Sequence, residues 1–166
     1  VGGAYFSMGT TGTVQNCEFD DIINIGIGAG FASMMEAHDL TIRGGRLGVD
    51  VGFSSQFTGT NIVLEGTTER AIFAHGASVV SLHNSHILPS SGLAVYCGAY
   101  IYDTVYQDLT NNYWGTSDAD VIAELIWDGN DDSSVLSFVD YEPFSAHPLP
   151  TEETTWGDLK AMYRGE

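Results

Sequence analysis

Positive charge is almost missing from this chain of 166 residues. Lys160 is the single lysine and Arg43, Arg46, Arg70 and Arg164 are the only arginines, against 22 acids and a formal net charge of −17. Such a chain repels a phosphate backbone, which argues against nucleic acid as a partner. No stretch approaches the ~18 consecutive apolar residues of a membrane-spanning helix. Cysteine is scarce as well. Cys17 and Cys97 fall in different columns of the repeat described below, roughly 15 Å or more apart along it. A disulfide needs Cα atoms within about 7 Å, so both read as buried thiols and the redox compartment stays open. Twelve of the acids lie beyond residue 110. Solubility or a saline habitat accounts for them, with calcium or a cationic partner as the other reading.

What the chain does have is glycine, 20 residues of it, and 43% hydrophobic residues, enough for one thin stacked core. Gly9, Gly30, Gly52, Gly76 and Gly98 recur at intervals of 21, 22, 24 and 22, each closing a short strand-like segment. A second column, Asn16, Asp39, Asn61, Asn84 and Asp108, recurs at 23, 22, 23 and 24. A fixed period with an internal strand means a solenoid, and the β-rich segments exclude the helical repeats of about 33 residues. Apolar residues two before and one and three after each Asn or Asp form inward columns. The Asn/Asp residues mark a corner, where a short polar side chain tolerates a left-handed backbone and bonds to the rungs above and below. The expected fold is all-β, a right-handed parallel β-helix with about 22 residues per coil and a C-terminal cap containing a short helix.

The repeated blocks Asn16 to Phe19 and Asn84 to Ile87, with the end segment Asn111-Asn112-Tyr113-Trp114-Gly115-Thr116, carry a family resemblance. Followed by Ile122, Asp128 to Asp132 and Tyr141 to Phe144, that segment resembles the closing unit of bacterial secreted right-handed β-helix repeat proteins of the pectin-lyase-like class. The resemblance covers nearly the whole chain and implies extracellular or cell-surface placement. It does not name an activity, because such solenoids include lyases, glycoside hydrolases and adhesins.

Coils are expected over 1–110, a cap over 111–150 and a tail with a short helix over 151–166. In the cap, Ser117 and Asp120 form an approximate capping box, and Val121, Ile122, Leu125 and Ile126 have helical spacing. They predict a helix over about 118–127, with Trp114 and Trp127 covering the open core, and then a strand over about 135–141. In the tail, Trp156, Leu159 and Tyr163 share one side. Val1 falls inside a coil, which points to upstream coils or another chain at that end.

Function must lie on outward columns. On the glycine-closed strand these read Tyr5, Gly26, Gly48, Ile72, Ala94 and Ser7, Gly28, Asp50, Ala74, Tyr96, with Phe73 and His75 facing the core. An acid/base glycosidase needs two carboxylates about 5 to 10 Å apart, and this face offers only Asp50. Asp20-Asp21 and His75-Gly76 are too far apart in the coils to match a pectinase pattern. After the Asn/Asp corner, Asp20, Arg43 and Glu65 alternate in charge as a surface ladder. Beside them Gln15, His38, Thr60, His83 and Gln107 form one column, and His86 lies in the next. His38 and His83 stand about 10 Å apart, too far to share a metal. His38, His83, His86 and the exposed Tyr96 are therefore candidates for saccharide contact, with Tyr5, Tyr100 and Tyr102 as further exposed aromatics. Asp128, Asn130 and Asp132 alternate oxygen ligands as calcium loops do. Ser133 and Val139, however, stand where the loop's glycine and glutamate belong, so a plain Asx-type turn is the competing reading.

The expected function is a non-catalytic module of a secreted or surface protein, a rigid scaffold for a polysaccharide, a cell-surface glycan or a protein. The alternative is the C-terminal part of a polysaccharide lyase or glycoside hydrolase.

Overall fold

The computed structural model describes residues 3–98 and 103–150. They form a parallel β-solenoid of about 4 turns with roughly 23 residues per turn. One sheet stacks β1 (Ala4–Phe6), β3 (Ile25–Ala29), β5 (Leu47–Val51), β7 (Arg70–Ala74), β10 (Leu93–Cys97) and β12 (Ile126–Trp127) in that order. The second stacks β2 (Thr11–Ile22), β4 (Met34–Gly44), β6 (Gln56–Glu65), β8 (Val79–His83), β11 (Val105–Asp108) and β13 (Ser137–Asp140), with β9 (His86–Leu88) also on β6.

The long strands β2, β4 and β6 turn the corner at the polar column, where Asn16, Asp39, Asn61 and Asn84 all have left-handed backbones (φ 53°, 55°, 55° and 51°). Asn61 Nδ2 donates to Asp39 Oδ1 at 3.0 Å, so an amide supplies the donor that a carboxylate in the ladder requires. The fifth rung is Asn111 (φ 62°), one residue before Asn112, and not Asp108. Asp108 instead pairs with Ser81. The same shift takes Gln107 off the outward histidine column. Its buried amide accepts from Val80 N–H and donates to Ser78 O and Ser137 Oγ.

The glycine column also needs a correction. Backbone bonds align Gly30, Gly52, His75 and Gly98, whereas Gly9 and Gly76 belong to the neighbouring turn with Phe31 and Phe53. Gly52 to Gly76 is 24 residues but the stacked pair Val51 and Ala74 is 23 apart, so counting glycine to glycine slips by one. In consequence Ile72 and Ala74 face the core, stacked on Val49 and Val51, while Phe73 and His75 face outward.

The core is a set of columns: Ile27, Val49, Ile72, Val95 and Ile126 on one wall, Ala37, Leu82 and Leu40, Ile62 on the other. Cys97 is buried, and desolvation pushes its thiol up to about 11. Cys17 is exposed on the outermost described coil, contrary to its expected burial, because β2 pairs with β4 on one side alone. Beyond β10 the chain forms α1 (Ala119–Glu124), capped by Asp118, whose side chain accepts from Asp120 N–H, and not by Ser117. The helix stops short of 127 because Ile126 and Trp127 pair with Val95 and Tyr96 as another rung. Trp114 and Ile122 are buried over the core, but Trp127 lies on the outer face, 37% exposed.

Candidate binding face

The register of the first sheet places Asp50, Phe73, Tyr96 and Trp127 on four consecutive rungs, all outward. Rungs about 4.8 Å apart make this a seam of about 14 Å. Tyr96 stacks parallel to Trp127 (6.5 Å between centroids, 11°) and tilts against Phe73 at 5.7 Å. Phe73 stacks on His75 at 4.4 Å, and Phe53 meets the same imidazole edge-on at 5.1 Å. Phe53 in turn stacks on Phe31 at 4.7 Å. Six rings are thus continuous across the solenoid, and Phe31 and Phe53 are about half exposed.

Glycine makes this seam possible. A Cβ on Gly52 would lie 2.2 Å from His75 Cε1, and one on Gly98 would lie 3.0 Å from Phe73 Cε2. Tyr5 lies over Gly28 and Gly30 in the same way. Missing side chains let these rings come close to the backbone, an approach that only glycine permits.

Polar groups sit among the rings. Asp50 is 9% exposed; its Oδ1 lies 3.3 Å from His75 Nε2, within ion-pair distance, yet receives no hydrogen bond from any described residue. A buried carboxylate oxygen without a donor is costly, and such an atom in a native fold calls for an explanation. Burial and the negative charge of Asp50 hold the Tyr5 hydroxyl above its ordinary value. The Arg70 guanidinium lies over Phe73 and Tyr96, 4.6 and 4.2 Å from their centroids. Arg43 and Arg46 are bound to acids, but no described carboxylate comes within 4.0 Å of Arg70.

Of the candidates named from sequence, Tyr96 belongs to this face, and so does Tyr5, which pairs with Gly28 on the rung beside Asp50. His38, His83 and His86 lie on the second sheet and do not converge. His83 is engaged through Nε2 with Ser81 Oγ and through Nδ1 with Thr110 O, both at 3.0 Å. His86 Nε2 accepts from Leu149 N–H at 2.9 Å. Burial holds its imidazole below the ordinary 6.5, partly offset by the Leu149 carbonyl, 3.0 Å from the same nitrogen, and by Glu65. With the folded value depressed, the unfolded chain takes up the proton first, so stability should fall as pH drops below about 6.5. Melting temperatures measured from pH 7.5 downward check this: His86→Gln should flatten the slope, and an unchanged slope would assign the loss elsewhere.

His86 lines one end of a second concavity, about 470 Å³, that runs along Asn16, Asp39, Asn61 and Asn84. Its single arginine is already engaged: Arg43 binds Asp20 and Glu65, as the alternating ladder anticipated, and also Glu18. In the cap, Asp128 is buried; Oδ1 accepts from Asn130 N–H and Oδ2 from Val139 N–H. Asp132 Oδ1 accepts from Ser134, which holds its carboxyl below the usual range. These are the bonds of an Asx-type turn. Among the described residues no three His, Cys, Asp or Glu side chains gather as metal ligands. Tyr100, Tyr102 and the tail over 151–166 lie outside the described residues.

Sequence reasoning missed Phe73, His75, Arg70 and Trp127 as outward residues. Asp50, Phe73 and Tyr96 are spaced 23 and 23, a signal that the strand register would have revealed had the glycines not been counted as one column. Comparison with known proteins finds no match to a family model, to a curated protein or to a solved structure.

Proposed function

We propose that this chain is a non-catalytic β-solenoid module of an extracellular or cell-surface protein, of the pectin-lyase-like kind, that binds glycan on the seam from Phe31 to Trp127. The observation that carries the reading is the outward row Asp50, Phe73, Tyr96 and Trp127. Aromatic rings offer apolar faces to the C–H side of a sugar, while neighbouring polar groups address its hydroxyls. A scaffold of stacked coils holds these groups at fixed spacing, so little ordering entropy is lost on binding. Binding is favoured over hydrolysis because the seam carries one carboxylate, Asp50, where acid/base cleavage of a glycosidic bond uses two.

Affinity electrophoresis against a panel of soluble polysaccharides tests the reading. At least one should retard the protein, and Tyr96→Ala with Trp127→Ala should weaken that binding by about tenfold or more while leaving the fold intact. Retardation that persists unchanged in the double variant would move binding off this face.

A further inference from the structure

We infer that the seam takes an uncharged polysaccharide laid along the solenoid axis, with a sugar hydroxyl donating to the open side of the Asp50 carboxylate and a sugar oxygen accepting from Arg70. The inference rests on the glycan reading above and deepens it to a class of ligand.

Three observations bear on it. Asp50 Oδ1 is buried in the seam and receives no hydrogen bond, although the His75 ring stands 3.3 Å away. Oδ1 itself is closed off, but the Asp50 side chain remains 12% exposed, so a hydroxyl can donate to the open side of the carboxylate without adding charge. Arg70 presents the opposite need: its guanidinium lies over Phe73 and Tyr96 with no carboxylate of the described residues within 4.0 Å, so its N–H groups are open to a neutral acceptor. A hydroxylated ring can donate to one group and accept from the other. An acidic sugar can satisfy Arg70 only by bringing its anion into the same short seam as the carboxylate of Asp50, where partial burial weakens screening. The third observation is spacing. Phe73, Tyr96 and Trp127 stand on three successive rungs, about 4.8 Å apart along the backbone. That is close to the length of one pyranose in an extended chain, so successive sugars meet successive rungs.

Distant acids of the −17 chain are screened beyond about 8 Å at physiological salt, so the choice between neutral and acidic ligands falls to Asp50 and Arg70. The experiment measures affinity by calorimetry at physiological salt for oligosaccharides of glucose, mannose, xylose and galactose. The hexose polymers are also tested in C6-oxidised, carboxylated form. The expected result is that an uncharged oligosaccharide binds about tenfold more tightly than its carboxylated form, and that Asp50→Asn weakens the neutral ligand by about tenfold. Gly52→Ala, whose Cβ would push the His75 ring off its seat, gives a second variant that leaves Asp50 in place; it should also weaken binding. Equal or tighter binding of the carboxylated form, abolished by Arg70→Leu, would overturn the inference and leave the glycan reading standing. No binding by any oligosaccharide or polysaccharide would overturn both.

Discussion

Replacing Asn112 by alanine is expected to lower stability by about 2 to 4 kcal/mol, far more than a surface amide is worth. Asn112 is fully buried, in the coil that closes the solenoid. Its Oδ1 accepts from Ser85 N–H at 2.9 Å, and its Nδ2 donates to Leu82 O at 2.7 Å and Leu109 O at 2.8 Å. One side chain therefore ties the corner of one coil to the next, in place of backbone bonds that the bend prevents. Alanine would leave a buried N–H without its acceptor and two carbonyls without their donor, in a space with little room to rearrange. Chemical denaturation of the variant measures the loss. A loss under about 0.5 kcal/mol would mean that water or a shifted backbone replaces the amide, and the bracket would not be what holds the last coils in register.

Ile72→Ala is expected to cost about 2 to 5 kcal/mol, and Phe73→Ala less than half of that. Ile72 is fully buried in the column of Val49 and Val95, so truncation opens a cavity that neighbouring rungs cannot collapse to fill. Phe73 is larger but half-buried on the outer face, where it loses contacts with His75, Tyr96 and Arg70. The larger side chain should thus matter less to stability and more to binding. Paired unfolding curves, with glycan affinity measured on the same samples, check both halves. The opposite ranking in stability would put the strand the other way round and remove the outward row on which the binding face depends.

That same strand shows how far the residues themselves could be read. The period was legible because stacked coils repeat their needs: an apolar column every turn, and a corner that only Asn, Asp or Gly occupies comfortably. Asn16, Asp39, Asn61 and Asn84 have the left-handed backbone their chemistry suggested. Register within the period was not legible. Glycine at 52 and glycine at 76 look alike in a sequence, yet one is the floor beneath the His75 ring and the other a turn residue with φ 62°. A parallel strand reverses every side chain on a slip of one residue, so this small error exchanged core and surface for Phe73 and His75. The histidines of the second sheet show a different limit: spacing shows that His83 and His86 lie near one corner, but not that Ser81 and Thr110 engage both His83 nitrogens and Leu149 engages His86 Nε2.

The amino-acid sequence by itself determined the solenoid, its repeat length, the polar corner and the acidic surface, because each follows from local pattern repeated along the chain. The tertiary structure alone decided that the coil count continues through Trp127 and that Asp128 turns its oxygens to backbone N–H groups. It also brought one acid, one arginine and six rings onto a single face. Those outcomes depend on which residues of different coils lie beside one another, and the step of 31 positions from Tyr96 to Trp127 carries no periodic mark that it spans one rung.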